Sequence, residues 1–150
     1  MKIAEIFYNV PLDVAITAWL IAQIIKVPLT YVTTGRWNWA LLASPGGMPS
    51  SHSALVAGAA HMIGLTQGFN SPLFAIALVL AIVVIYDATG IRRQAGRHAR
   101  IINKMILDLS SGNPLKQEKL REVLGHTPLE ALAGTLLGIS VAQVTWWMIS

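Results

Sequence analysis

Cysteine is absent from the 150 residues, so neither a disulfide nor a thiolate metal site can form. Charge is scarce as well. Charged residues make up 12% of the chain, against roughly a quarter in an average soluble domain. Hydrophobic residues make up 54%, and the mean hydropathy is +0.57. This composition argues against a soluble enzyme and predicts a membrane-embedded chain, and the length predicts a single domain over residues 1–150. The net charge of +4 is localised, because eight of the eleven Lys/Arg residues lie within residues 91–126. A cluster of that kind suits anionic lipid headgroups better than nucleic acid. No signal peptide stands out: Lys2 is the only base near the start, Glu5 and Asp13 intervene, and no small-residue cleavage site follows an early apolar core.

Against this background the long apolar runs predict an all-α integral-membrane bundle of about four transmembrane helices. The first spans residues 11–32 and carries Gln23 and Lys26 one turn apart on one face. Lys26 either snorkels to the interface or points into the bundle with Gln23, as intramembrane ionisable groups usually do. Arg36-Trp37-Asn38-Trp39 has the composition of an interfacial anchor. The second helix, residues 50–65, is rich in Ser, Ala and Gly, a composition for close packing. It is short for a span, which needs about 20 residues, and is therefore expected to be buried or tilted. His61 lies two and a half turns past His52, which does not suit a metal pair, and it is expected to be a core histidine.

The third helix, residues 72–90, is almost unbroken aliphatic sequence ending at Asp87, with Arg92 and Arg93 just beyond. A guanidinium matches phosphate geometry, and a solvated helix end is the alternative. Residues 91–109 then alternate an apolar face with Arg92, Arg93, Arg97, Arg100 and Lys104, which predicts a basic amphipathic interfacial helix. Residues 110–114 break it, and residues 115–124 read as a short charged helix. The last span begins at Thr127-Pro128-Leu129-Glu130, which has the form of a capping box with proline at the first helical position. Gly134 and Gly138 form a GxxxG pair, serving either packing within the bundle or a homo-oligomer.

The stretch Gly46-Gly47-Met48-Pro49-Ser50-Ser51-His52-Ser53 precedes the second helix. The glycines permit close backbone approach to a ligand, and a helix start favours an anion. A plain Ser/Pro cap after a glycine turn is the simpler reading of the stretch alone. Alternating spans change the balance, because they bring Lys26, His52, Arg92, Arg93 and His126 to one membrane face. That joint placement favours a phosphate site.

Together these residues resemble the type 2 phosphatidic acid phosphatase and vanadium haloperoxidase superfamily, and most closely its small divergent bacterial branch. Pro49-Ser50-Ser51-His52 is similar to the superfamily's Pro-Ser-Gly-His motif, with Ser51 in place of glycine. His126 and Glu130 keep the spacing of its His-x-x-x-Asp motif, with Glu for Asp, and Lys26 resembles its phosphate-binding lysine. Arg121 is one residue too close to His126 for the usual pattern, so Arg92 or Arg93 is expected to supply the guanidinium. The resemblance implies a lipid phosphatase of the bacterial inner membrane, without a cofactor or metal. His126 would be the nucleophile, Glu130 its orienting partner and His52 the acid and then the base. Lys26, Ser50, Ser51, Arg92 and Arg93 would hold phosphate, supported by Gln23, Gly47 and Asp87. Glu130 as cap and Glu130 as orienter compete for one carboxylate.

Two other readings stay open: a non-enzymatic anionic-lipid-binding protein built on the amphipathic helix, and a small transporter with Asp87 as its coupling group. The charge bias places the basic side in the cytoplasm. That favours a phosphomonoester lipid such as phosphatidylglycerol phosphate or phosphatidic acid, whereas the reverse orientation would favour a polyprenyl pyrophosphate. A reporter inserted in residues 110–114 is accordingly expected to be cytoplasmic, and a reporter active outside the cell would reverse the orientation.

Overall fold

The computed structural model describes residues 8–42, 46–109 and 125–150, with residues 91–93, 97, 108 and 109 described in their backbone only. Five α-helices follow one another: α1 Val10–Thr34, α2 Ser51–Gln67, α3 Pro72–Thr89, α4 Ile91–Leu109 and α5 Pro128–Ile149. A 3-10 turn, Trp39–Leu42, lies between α1 and α2. No strand occurs among the described residues, and the fold is an all-α membrane bundle. The expected short helix over residues 115–124, the break over 110–114 and Arg121 lie outside the described residues.

Local chemistry sets the helix ends. Asn9, Ser71 and Thr127 cap α1, α3 and α5 by accepting from the N–H of Leu12, Phe74 and Glu130, and each of these helices has proline in its first turn. α1 stops at Gly35, whose left-handed φ of 69° lets its N–H reach the Tyr31 carbonyl at 2.8 Å. Beyond it Tyr31, Trp37 and Trp39 stack, with centroids 4.4 and 5.6 Å apart, and both tryptophans are exposed. They form the aromatic belt expected at an interface.

Among the described residues three helices are long and apolar enough to cross a membrane: α1, α3 with its continuation into α4, and α5. α2 is buried, as expected of a helix short for a span. It has 17 residues and lies at the centre of the bundle, in contact with α1, α3 and α5. Its residues are small because it is surrounded: Ala54 packs with Ala18 and Ala22, Met62 with Val14 and Ala142, and Ala60 with Ala81. By contrast Ile76, Val79, Ile82 and Val83 of α3 stay exposed, the arrangement required where the outer solvent is hydrocarbon.

The tightest contact joins α2 to α5, which run parallel. A Cβ on Gly134 would lie 2.1 Å from the Ser50 carbonyl oxygen, and one on Gly138 would lie 2.2 Å from that of Ala54. The GxxxG pair therefore packs within the bundle. Small residues allow this approach, which replaces the hydrophobic driving force that a lipid solvent does not supply.

α3 gives way to α4 at Gly90, whose φ of −100° and ψ of −86° leave helical geometry. In α4 Ile101, Ile102, Met105 and Leu107 are exposed, beside exposed Arg100 and Lys104, as suits an interfacial helix.

Gly134→Ala and Gly138→Ala should each destabilise the purified protein by at least about 1–3 kcal/mol, since the blocking atom is backbone. Gly35→Ala meets nothing within 4 Å and should cost only the left-handed strain, about 1 kcal/mol. Thermal unfolding in detergent separates the two classes, and equal shifts would contradict the packing argument.

Candidate active site

α2 and α5 start side by side. The Ser50 N–H donates to the Glu130 carbonyl at 2.9 Å, and the His126 N–H donates to the Ala88 carbonyl at the end of α3 at 2.8 Å. Gly125, with φ of 87°, supplies the turn that delivers His126 to that position. Three helix ends are thereby tied by backbone bonds that no side-chain pattern announces.

α1 reaches the same place from inside its length. Lys26 lies eight residues before Thr34, about 12 Å below the end of the helix. It is fully buried, so it does not snorkel. Its ammonium donates to Gln23 Oε1 and, at 3.2 Å, to Ser51 Oγ. Gln23 is held in turn by donating to the Leu42 carbonyl at 3.1 Å, so the chain after α1 folds back along it. Gly47, at φ 75°, lies over the aliphatic stem of Lys26, where an added Cβ would be 3.9 Å from Cδ. Among the described residues two of the three ammonium hydrogens are placed on protein acceptors, leaving one for a ligand.

The start of α2 is itself ordered by hydroxyls. Ser50 Oγ accepts from the Ser53 N–H at 3.3 Å and from Ser53 Oγ at 3.0 Å. Ser50, Ser51 and Ser53 are almost completely buried. Ser53 closes the Gly46–Ser53 stretch in the sequence, but its bond to Ser50 could not be inferred without the helix start being fixed.

His126 is 4% exposed and places Nδ1 3.1 Å from Glu130 Oε2. The same oxygen accepts from the Thr127 N–H at 3.0 Å, while Thr127 Oγ1 accepts from the Glu130 N–H at 3.3 Å. Capping and orienting are therefore not alternatives, because one carboxylate oxygen has lone pairs for both. In the tautomer with Nδ1 donating to Glu130, Nε2 is the acceptor nitrogen of the ring. His52 is exposed and its ring centroid is 6.5 Å from that of His126, inclined by 54°.

The chain belongs to the Divergent PAP2 family. That family's model matches residues 7–141. The chain is also 39% identical over 151 residues to the "Uncharacterized membrane protein YuiD" of Bacillus subtilis (strain 168), covering 93% of this chain and 96% of the relative. No solved structure matches.

Within the family match, the expected site residues divide into two groups. Gln23, Lys26, Gly47, Ser50, Ser51, His52, His126 and Glu130 come together around the start of α2. Asp87 is half-buried beside Ala88 at the end of α3. Arg92 and Arg93 occupy the first turn of α4, and their side chains lie outside the described residues. His61 is not part of the site; its Nε2 pairs with Gln143 Oε1 at 3.1 Å, linking α2 to α5. Among the described residues no group of three or more His, Asp or Glu side chains is placed to hold a metal ion.

Thr127→Ala should lower stability by about 1 kcal/mol, the value of one helix cap. Glu130→Ala should lower it further, because it also leaves a buried imidazole N–H without its acceptor, at about 1–3 kcal/mol. Lys26→Met should change stability little, since removal of a buried charge is offset by leaving Gln23 Oε1 and Ser51 Oγ without their donor, while stabilisation by added inorganic phosphate is lost. Melting temperatures with and without phosphate test all three, and a phosphate-induced rise retained in Lys26→Met would remove Lys26 from the anion site.

Proposed function

We propose that the chain is a membrane lipid phosphatase acting on a phosphomonoester lipid, phosphatidic acid or phosphatidylglycerol phosphate, at the cytoplasmic face through a phosphohistidine. The observation that carries this reading is the Glu130–His126 pair facing His52 across 6.5 Å, beside Lys26 and the start of α2.

In the first step His126 Nε2 forms a bond to phosphorus as the ester P–O bond breaks. Glu130 holds the imidazole and stabilises the positive charge it develops. His52 gives its proton to the departing lipid alkoxide. In the second step His52 takes a proton from water, the water oxygen bonds phosphorus, and the P–N bond breaks to release inorganic phosphate. Lys26 and the α2 terminus stabilise the charge on the equatorial oxygens. Arg92 and Arg93, by their place after α3, are proposed to add guanidinium contacts.

Burial supports this division of roles. His126 lies at the back of the site, where water is scarce, and exposed His52 stands where a leaving group departs and water enters. The basic α4 draws anionic headgroups to the same face.

Phosphate release from phosphatidic acid and phosphatidylglycerol phosphate by purified protein in detergent tests the proposal. His126→Ala should lower the rate by more than about 10³-fold, and His52→Ala by about 10²–10⁴-fold. With an activated aryl phosphate, whose leaving group needs no proton, His52→Ala should accumulate the phosphoenzyme, visible as a phosphate adduct on His126 by mass spectrometry. Undiminished activity in both variants would sink the mechanism, and abolition by a chelator would assign the chemistry to a metal. The non-enzymatic alternative instead predicts membrane function that survives His126→Ala and fails on charge reversal at Arg97 and Arg100.

A further inference from the structure

A second feature lies below the site. α2, α3 and α5 enclose an elongated groove of about 290 Å³. Its near end is at Ile85, three residues before Ala88, whose carbonyl holds His126. Its far end is at Phe74, eleven residues and about 16 Å back along α3. The floor consists of Ala57 and Ala60 on α2, so the groove exists because these positions have no larger side chain.

The lining determines what can occupy it. Its two polar side chains are already engaged: His61 with Gln143, and Thr135, whose Oγ1 donates to the Ala131 carbonyl at 2.9 Å. The remaining surface offers only hydrocarbon and aromatic rings. Ile82 and Ile139 form the rims on α3 and α5 and are partly exposed, and both helices are membrane spans. The open side therefore faces acyl chains, and the occupant is hydrocarbon.

An aromatic ring stands at the far end. The Phe69 ring lies on Gly64, where an added Cβ would be 2.4 Å from Cε1. It meets Phe74 edge-on at 5.1 Å and the His61 ring at 5.7 Å. The ring is half exposed, and these three contacts set it across the far end of the groove.

We propose that this groove receives one acyl chain of the reacting lipid and measures its length, with Phe69 as the stop. The inference rests on the lipid-phosphatase reading of the site and adds the determinant of chain preference. Phosphatidic acids carrying short, medium and long saturated chains, presented at equal surface fraction in detergent micelles, provide the test. Phe69→Ala should move the preferred chain length upward. Ile82→Trp, at an exposed rim where folding is not at stake, should lower the ratio of long-chain to short-chain rates by roughly 10-fold. One profile shared by all three proteins overturns the proposal.

Absence of phosphate release by the parent protein from every lipid would refute the phosphatase reading separately. Occupancy of the groove is then read with phosphatidic acid bearing a diazirine in one acyl chain. Labelling concentrated on the groove walls, reduced by Ile82→Trp and competed by unlabelled phosphatidic acid but not phosphatidylcholine, supports the acyl groove. Labelling spread over the outer faces and unchanged in Ile82→Trp overturns it.

Discussion

The backbone contact between α2 and α5 is the constraint from which the remaining geometry follows. With Gly134 against the Ser50 carbonyl and Gly138 against that of Ala54, the two helices approach as closely as backbones allow. The Ser50 N–H to Glu130 carbonyl bond then fixes their register at the end that matters. His52 rides on the first turn of one helix, and His126 immediately precedes the other. Neither histidine sits on a long loop that could drift. Their separation is set by two rigid cylinders in contact, and this kind of support keeps a pair of reacting groups within a fraction of an ångström of a working geometry.

The polar cluster at that junction is expensive to hold in a membrane and is satisfied throughout. Lys26 donates to Gln23 and Ser51, Gln23 donates to Leu42, Ser53 donates to Ser50, and His126 pairs with Glu130. An ammonium two turns inside a spanning helix contributes little to stability on its own account. Its retention makes physical sense if an anion visits, and the neighbouring start of α2 adds charge of the same sign. The proposed function uses this directly. Positive charge is assembled before the substrate arrives, so little reorganisation is needed when phosphoryl charge develops.

Much of this was legible in the chain itself. Apolar run lengths and scarce charge identify a helical membrane protein, and the capping residues Thr127 and Glu130 mark the start of α5 within a residue. Lys26, His52 and His126 could be assigned to one face by counting spans. Two matters were not legible. The sequence treats capping and orienting as rival uses of Glu130, whereas a carboxylate oxygen accepts from the Thr127 N–H and from His126 together. The small residues of α2 indicate tight packing and burial but not its partners, which the structure shows to be α1, α3 and α5.

By itself, then, the sequence determined the helical membrane class and singled out residues that the fold brings together at one end of the bundle. Both follow from local facts: side-chain type, helical period, and the alternation of apolar runs. Only the tertiary structure decided how deep the site lies, that Gln23 is anchored by the Leu42 carbonyl, that Ala88 positions His126, and that a groove with Phe69 at its far end runs beneath them. Each of these depends on a backbone atom or an unfilled space between helices distant in sequence. Carbonyl oxygens are the same at every residue and a void has no residue at all, so neither leaves a mark in the order of the amino acids.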